Sequence, residues 1–157
     1  MYLTRYTDYS LRVLMYLALK GENISTISEI ANSYRISKNH LMKVVQALNI
    51  KGYIIAVRGK NGGLHLRGSP QDINIGTLVR ETEQGLTLVD CFAGGPGCVI
   101  TPACQLRIIL AEALENFFET LDQYSLADLL PGAAQTELIN VLGISEPAQQ
   151  LLTNSVR

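Results

Sequence analysis

The sequence predicts a mainly α-helical chain, with an N-terminal winged helix–turn–helix carrying a small β-hairpin wing and a long C-terminal dimerisation helix. Three observations predict it. Two short amphipathic helices joined by a tight turn precede a glycine-rich hairpin. Basic residues crowd into the first half of the chain. A helix with an apolar stripe at heptad-like spacing follows a loop that holds every cysteine.

The first helix is expected to be capped by Thr7, to carry Asp8 in its first turn and to run to about Lys20, with Gly21 as its stop. It is apolar almost all round (Leu11, Val13, Leu14, Met15, Leu17, Leu19), which predicts burial. Thr26-Ile27-Ser28-Glu29 has the capping-box form and starts a second helix with Ile27, Ile30, Ala31 and Tyr34 on one face. Ser37 caps a third helix through about Lys51, in which Leu41, Val44, Val45 and Leu48 follow helical spacing. Asn39, Lys43 and Gln46 fall opposite. Gly52 ends this helix, Tyr53–Val57 is β-prone, the turn at 59–63 is glycine-rich, and Leu64–Leu66 returns as a wing. Pro70 closes the module, and Ile73–Glu83 reads as a linking helix. Thr101-Pro102 is expected to begin the long helix, Thr as cap and Pro at the first helical position, running to about Tyr124. Leu110, Leu114, Phe117, Leu121 and Tyr124 form a seam of about two heptads that suits pairing with a twin.

At 157 residues, 47% hydrophobic and 17% charged, the chain is sized and composed for a folded core rather than disorder. No apolar run approaches the roughly 18–20 residues of a membrane span. Val13–Leu19 reads as a buried helix rather than a signal peptide, so a cytoplasmic location with reduced thiols is expected. The net charge of −1 hides an asymmetry: residues 1–71 hold 10 Lys/Arg against 3 Asp/Glu, a balance of +7, and residues 72–157 hold 3 against 11, a balance of −8. Between Glu29 and Asp72 there is no acid, but Arg35, Lys38, Lys43, Lys51, Arg58, Lys60 and Arg67 are present. Such a half binds polyanions.

The recognition helix and wing then supply the DNA contacts. Asn39, His40, Lys43 and Gln46 are the base-edge candidates, and Lys38, Arg58 and Lys60 the phosphate contacts, with Ser37, Gly59 and Asn61 completing the surface. Two heads on a homodimer predict a palindromic operator on double-stranded DNA and steep salt dependence. No nucleophile motif, phosphate loop or paired-carboxylate signature points to an enzyme.

All three cysteines, Cys91, Cys98 and Cys104, lie in CFAGGPGCVITPACQLR. The spacing C-x6-C-x5-C lacks the tight pairs of a structural zinc site and suits thiolates that each reach a different iron of a cluster. Cys104 would sit in the first turn of the Pro102 helix, where the dipole favours an anionic ligand. Gly94, Gly95 and Gly97 let the backbone pass close to sulfide. Three thiolates leave one iron short of a ligand, and His40 and His65 are committed to the DNA side. The fourth ligand is then an oxygen, a small molecule or a residue from elsewhere.

Several short pieces together resemble the IscR/NsrR family of winged-helix iron–sulfur transcription regulators, the nitric-oxide-sensing branch in particular. They are Leu3-Thr4, Thr7-Asp8-Tyr9, Asn39-His40-Leu41-Met42-Lys43, the wing from Val57 to Gly63, Ile75-Gly76, Val79-Arg80-Glu81, Ile100 to Cys104 with the other two cysteines, and Tyr124 to Leu129, spanning about residues 1–130. The resemblance implies a homodimeric repressor with one cluster per subunit, [4Fe–4S], with [2Fe–2S] as the alternative. It implies Cys91, Cys98, Cys104 and Asp8 of the partner subunit as ligands, and nitric oxide as the signal that releases DNA. A histidine three residues after the last cysteine marks the other branch; here that position is Arg107. A thiol- or zinc-based redox regulator of the same fold is the competing expectation. The expected organisation is a winged helix–turn–helix over 1–71, a linking helix over 72–83, a cluster-binding loop over 84–103, a dimerisation helix over 104–130 and a partly mobile tail over 131–157.

Overall fold

The computed structural model describes residues 2–83, 85–86, 88–92 and 98–144. Its helices are α1 (Arg5–Lys20), α2 (Ile27–Tyr34), α3 (Lys38–Lys51), α4 (Ile75–Thr82), α5 (Gln105–Asp122) and α6 (Gly132–Val141). Strands β1 (Ile54–Val57) and β2 (Gly63–Leu66) pair antiparallel with Ile54 opposite Leu66 and Val57 opposite Gly63. The mainly helical winged helix–turn–helix is thus observed. Among the described residues no helix is long and apolar enough to cross a membrane.

α1 is the centre of the head. Its Val13, Leu14 and Leu17 are fully buried and pack with Ile30 of α2, Leu41 and Leu48 of α3, Ile54 of β1 and Leu78 of α4. Each such side chain contributes roughly 1.5–3 kcal/mol of transfer free energy. α1 touches α2, α3, β2, α4 and the turn Leu126–Leu129, so its position is shared by most of the head.

α1 begins earlier than expected. Thr4, not Thr7, is the cap: its hydroxyl accepts from the Thr7 N–H at 3.3 Å. That start turns Thr7 inward, where it is fully buried and its hydroxyl donates to Thr82 Oγ1 at 2.9 Å. Thr82 passes its own proton to the Leu78 carbonyl at 2.8 Å. The expected stop holds, with Gly21 at φ 59°.

α2 carries the expected capping box. The Glu29 N–H donates to Thr26 Oγ1 at 3.1 Å and the Thr26 N–H donates to Glu29 Oε2 at 2.6 Å. Thr26→Ala is expected to lower stability by about 1 kcal/mol, read as a few degrees in thermal unfolding; an unchanged midpoint would show that the cap is dispensable. α3 buries Leu41, Val44, Val45 and Leu48 and ends at Gly52 with φ 85°, as predicted. The wing is braced by the α1–α2 loop, because Ser25 exchanges backbone hydrogen bonds with Leu64 at 3.0 and 2.7 Å. A side chain at Gly63 would collide with the Ser25 carbonyl at 2.7 Å, so the wing root needs glycine there.

The long helix differs from expectation at both ends. Thr101–Ala103 forms a separate 3-10 turn, and Cys104, with φ −80° and ψ 103°, leaves the helical region before α5 begins at Gln105. A single helix through Thr101-Pro102 would need helical backbone at Cys104. At the other end Tyr124 lies beyond the helix, where its carbonyl accepts from the Ile75 N–H at 2.9 Å. This bond and one from Leu126 N–H to the Ile73 carbonyl (2.8 Å) return the chain to the head and bury Leu126 completely. α6 lies in the weakly patterned tail and buries no side chain, and 145–157 fall outside the described residues.

Candidate metal centre and nucleic-acid interface

The head sorts its cations into paired and free. Arg12 pairs with Asp8 (2.9 Å), Lys20 with Glu29 (3.7 Å) and Lys51 with Glu81 of α4 (3.8 Å). Lys51 belongs to the acid-free run in sequence, yet the fold neutralises it. Glu81 also accepts from the Tyr53 hydroxyl at 2.9 Å. Burial first, then this carboxylate, pushes the Tyr53 phenol far up, so it remains a donor. Arg5, Arg35, Lys38, Lys43, Arg58, Lys60 and Arg67 have no carboxylate partner among the described residues.

Ser37, Lys38, Asn39, His40, Lys43 and Gln46 are all exposed on α3, on the side away from its buried stripe. The Ser37 hydroxyl makes no capping hydrogen bond, which leaves it available. Arg58, Gly59, Lys60 and Asn61 are exposed at the wing tip, with Gly59 at φ 111° making the turn. His65 differs from the other candidates: it is half-buried in β2 and its Nδ1 engages the Leu66 carbonyl at 2.8 Å. This face can bind a duplex, because a polar helix and a basic loop project from one head with unsatisfied donors.

The three cysteines are free thiols. Cys91 is half-buried in the turn Asp90–Phe92, Cys98 is exposed, and Cys104 is half-buried at the N-cap of α5. Cys104 therefore faces the positive end of α5 from the cap position rather than from the first turn expected. The glycine stretch at 93–97 lies outside the described residues. The Cys98 carbonyl accepts from the Thr101 N–H at 2.9 Å, which fixes the approach to Cys104. The Thr101 hydroxyl is buried without a partner among the described residues. An orphaned donor costs about 1–3 kcal/mol unless something accepts from it, and a sulfide or thiolate would. The donor set, soft thiols with a buried hydroxyl between Cys98 and Cys104 in the sequence, fits an iron–sulfur group. Among the described residues no cluster of three or more His, Cys, Asp or Glu closes around a single metal within one chain.

Asp8 is half-exposed on α1 and held by Arg12 through Nε (3.0 Å) and Nη2 (2.9 Å). Arg12 also lies over the Tyr34 ring at 5.7 Å, and burial pushes the Tyr34 phenol up to about 12. One contact escaped sequence reasoning. Glu83, buried at the entry to the cysteine segment, accepts from the Thr4 N–H (2.7 Å) and hydroxyl (3.0 Å). It thereby ties that segment to the start of α1. The two residues are 79 apart, so no local pattern marks the bond.

A family model described as an iron-dependent transcriptional regulator, Rrf2, matches residues 3–132. The chain is 52% identical to the HTH-type transcriptional regulator NsrR of Geobacillus kaustophilus over 136 residues, covering 85% of this chain and 92% of that one. It is 50% identical to the regulator of the same name from Bacillus subtilis over 133 residues, covering 83% and 90%. Among solved structures, the B. subtilis global cysteine regulator CymR matches with a TM-score of 0.64 at 26% identity, covering 82% of this chain and 95% of that one. T. potens IscR matches with a TM-score of 0.69 at 23% identity, covering 87% and 91%.

Proposed function

Since the chain belongs to the Rrf2 family of transcriptional regulators, and is a DNA-binding winged-helix repressor rather than an enzyme, we propose that it senses nitric oxide through an iron–sulfur cluster and releases its operator when the cluster is nitrosylated. The released genes would be those that remove nitric oxide. Cys91, Cys98 and Cys104 would hold the cluster, with the partner subunit's Asp8 completing it as [4Fe–4S]. A bound cluster supplies iron that nitric oxide attacks, most readily where a hard carboxylate rather than a thiolate is the ligand.

One observation carries the reading: every cysteine of the chain lies between the end of α4 and the start of α5, and Asp8 lies on the helix that packs against α2, α3, β2 and α4. Among the described residues no group of three or more His, Cys, Asp or Glu, the cysteines included, gathers within one chain, which is compatible with a site completed by a second copy. α5 supports the homodimer, since only its Phe117, Phe118 and Leu121 pack half-buried against the core of one chain, while Leu106, Ile108 and Ile109 are left about 60% exposed. Within each chain, Glu83 joins the cysteine segment to Thr4, and α1 packs directly on α3. When Asp8 is freed, Arg12 stands ready to hold it. α1 then relaxes toward its single-chain position, and the two α3 helices change separation. The protein would act on chromosomal DNA in the cytoplasm.

The test is anaerobic reconstitution followed by visible spectroscopy and an operator shift assay, with and without stoichiometric nitric oxide. Bleaching and DNA release should coincide; binding that persists unchanged through bleaching overturns the reading. Asp8→Ala changes a half-exposed side chain, so thermal stability should move by no more than about 0.5 kcal/mol. The variant should lose its cluster to a chelator at least about tenfold faster than wild type. An unchanged rate would remove Asp8 from the ligand set.

A further inference from the structure

A cleft of about 260 Å³ opens between the start of α1 and the first half of α3, lined by Arg5, Tyr6, Tyr9, His40, Lys43 and Val44. We infer that this cleft seats one phosphate of the DNA backbone, so that the duplex is gripped jointly by α1 and the recognition helix. The inference deepens the reading above and rests on it.

Charge is the first argument. Two fixed cations and a histidine surround the cleft, and no carboxylate lines it. Among the described residues Arg5, His40 and Lys43 make no ion pair and no side-chain hydrogen bond. The other cations of the same helix, Arg12 and Lys20, are neutralised. Three unsatisfied basic groups converging on one concavity is the arrangement an anion completes.

Size and chemistry narrow the anion. The volume falls below the roughly 300–1,000 Å³ of organic ligand sites, and it suits a phosphate group with its water. Tyr6 and Tyr9 bring phenolic donors, and burial raises the Tyr6 pKa, which keeps its proton in place. Arg, Lys, Tyr and helix N-termini are the usual phosphate contacts.

Position supplies the source. His40 and Lys43 share the exposed α3 face with Asn39 and Gln46. The cleft flanks that face, where the backbone of a duplex runs when a helix reads the major groove. Arg5 is the first residue of α1, next to Thr4, which Glu83 holds, and one helical turn before Asp8. A displacement of α1 would therefore break a DNA contact outright, without waiting for α3 to move.

The experiment is fluorescence anisotropy of the reconstituted full-length protein on a labelled duplex bearing the operator and on a mixed-sequence duplex, each across a KCl series. Arg5→Gln should make the log–log salt slope shallower by about 0.9 for each head and weaken both duplexes alike. Arg5→Lys should restore the slope, which separates charge from folding. Tyr9→Phe should weaken binding with the slope unchanged, because the lost donor is neutral. Slopes equal to wild type for Arg5→Gln overturn the clamp. Inorganic phosphate that binds the wild type, but not Arg5→Gln, without weakening duplex binding beyond KCl at equal ionic strength also overturns it, by assigning the cleft to a free anion. If wild type itself shows no salt-dependent duplex binding, the underlying DNA reading fails; if only the Arg5 comparison is flat, the clamp alone fails.

Discussion

Cys104→Ser, reconstituted anaerobically with iron and sulfide, is expected to emerge almost colourless while folding as well as wild type. Cys104 occupies the N-cap of α5 and its side chain makes no capping bond. Serine is among the favoured N-cap residues, so the substitution leaves the helix start intact and can strengthen it. What it removes is a soft thiolate at the positive end of a helix, and a hydroxyl does not ionise to replace it as an iron ligand. Folding and ligation are thus separable in one variant: circular dichroism should hold and visible absorbance should collapse. Operator affinity should fall toward the non-specific level, a drop of roughly 10³-fold or more. Full visible intensity in the variant would move the site away from Cys104, and with it the proposed coupling.

The head was legible because its signals are local. The Thr26–Glu29 box, the buried stripe of α3, Gly52 at a positive φ and the glycine turn of the wing each sit within a few residues of what they specify. The errors share one cause. Thr7 has the residue type of a cap, but Thr82, distant in sequence, gives its hydroxyl a buried partner. Lys51 looks like part of a DNA-binding run until Glu81 is placed beside it. Thr101-Pro102 has the look of a helix start, yet Cys104 breaks the backbone two residues later. Glu83 carries no pattern at all, since its meaning comes from Thr4. Of the candidate site, residue types were readable; what joins the end of α4 to the start of α1 was not, because among the described residues Glu83 reaches Thr4 across 79 positions and Thr82 reaches Thr7 across 75.

The other large effect is structural. Leu126→Ala is expected to destabilise the protein by about 2–5 kcal/mol, the range for deleting a fully buried leucine. Leu126 is 0% exposed although it lies beyond α5, in a turn that packs on α1. Its N–H is bonded to the Ile73 carbonyl, so the emptied space has little freedom to collapse. The neighbouring Arg80–Asp122 pair, bidentate at 2.5 and 2.7 Å with Arg80 over the Phe118 ring at 4.3 Å, is exposed. It links α4 to the end of α5 and, being exposed, contributes little to stability. Leucine burial therefore holds the C-terminal turn onto α1, and α1 carries both Asp8 and the contact with α3. A drop of roughly 10 °C in the thermal midpoint is expected for a chain of this size. Under the proposed function, the surviving folded fraction should also respond less sharply to nitric oxide, since α1 is no longer anchored at that end. A midpoint within about 2 °C of wild type would mean that the turn after α5 folds independently of the head and does not anchor α1.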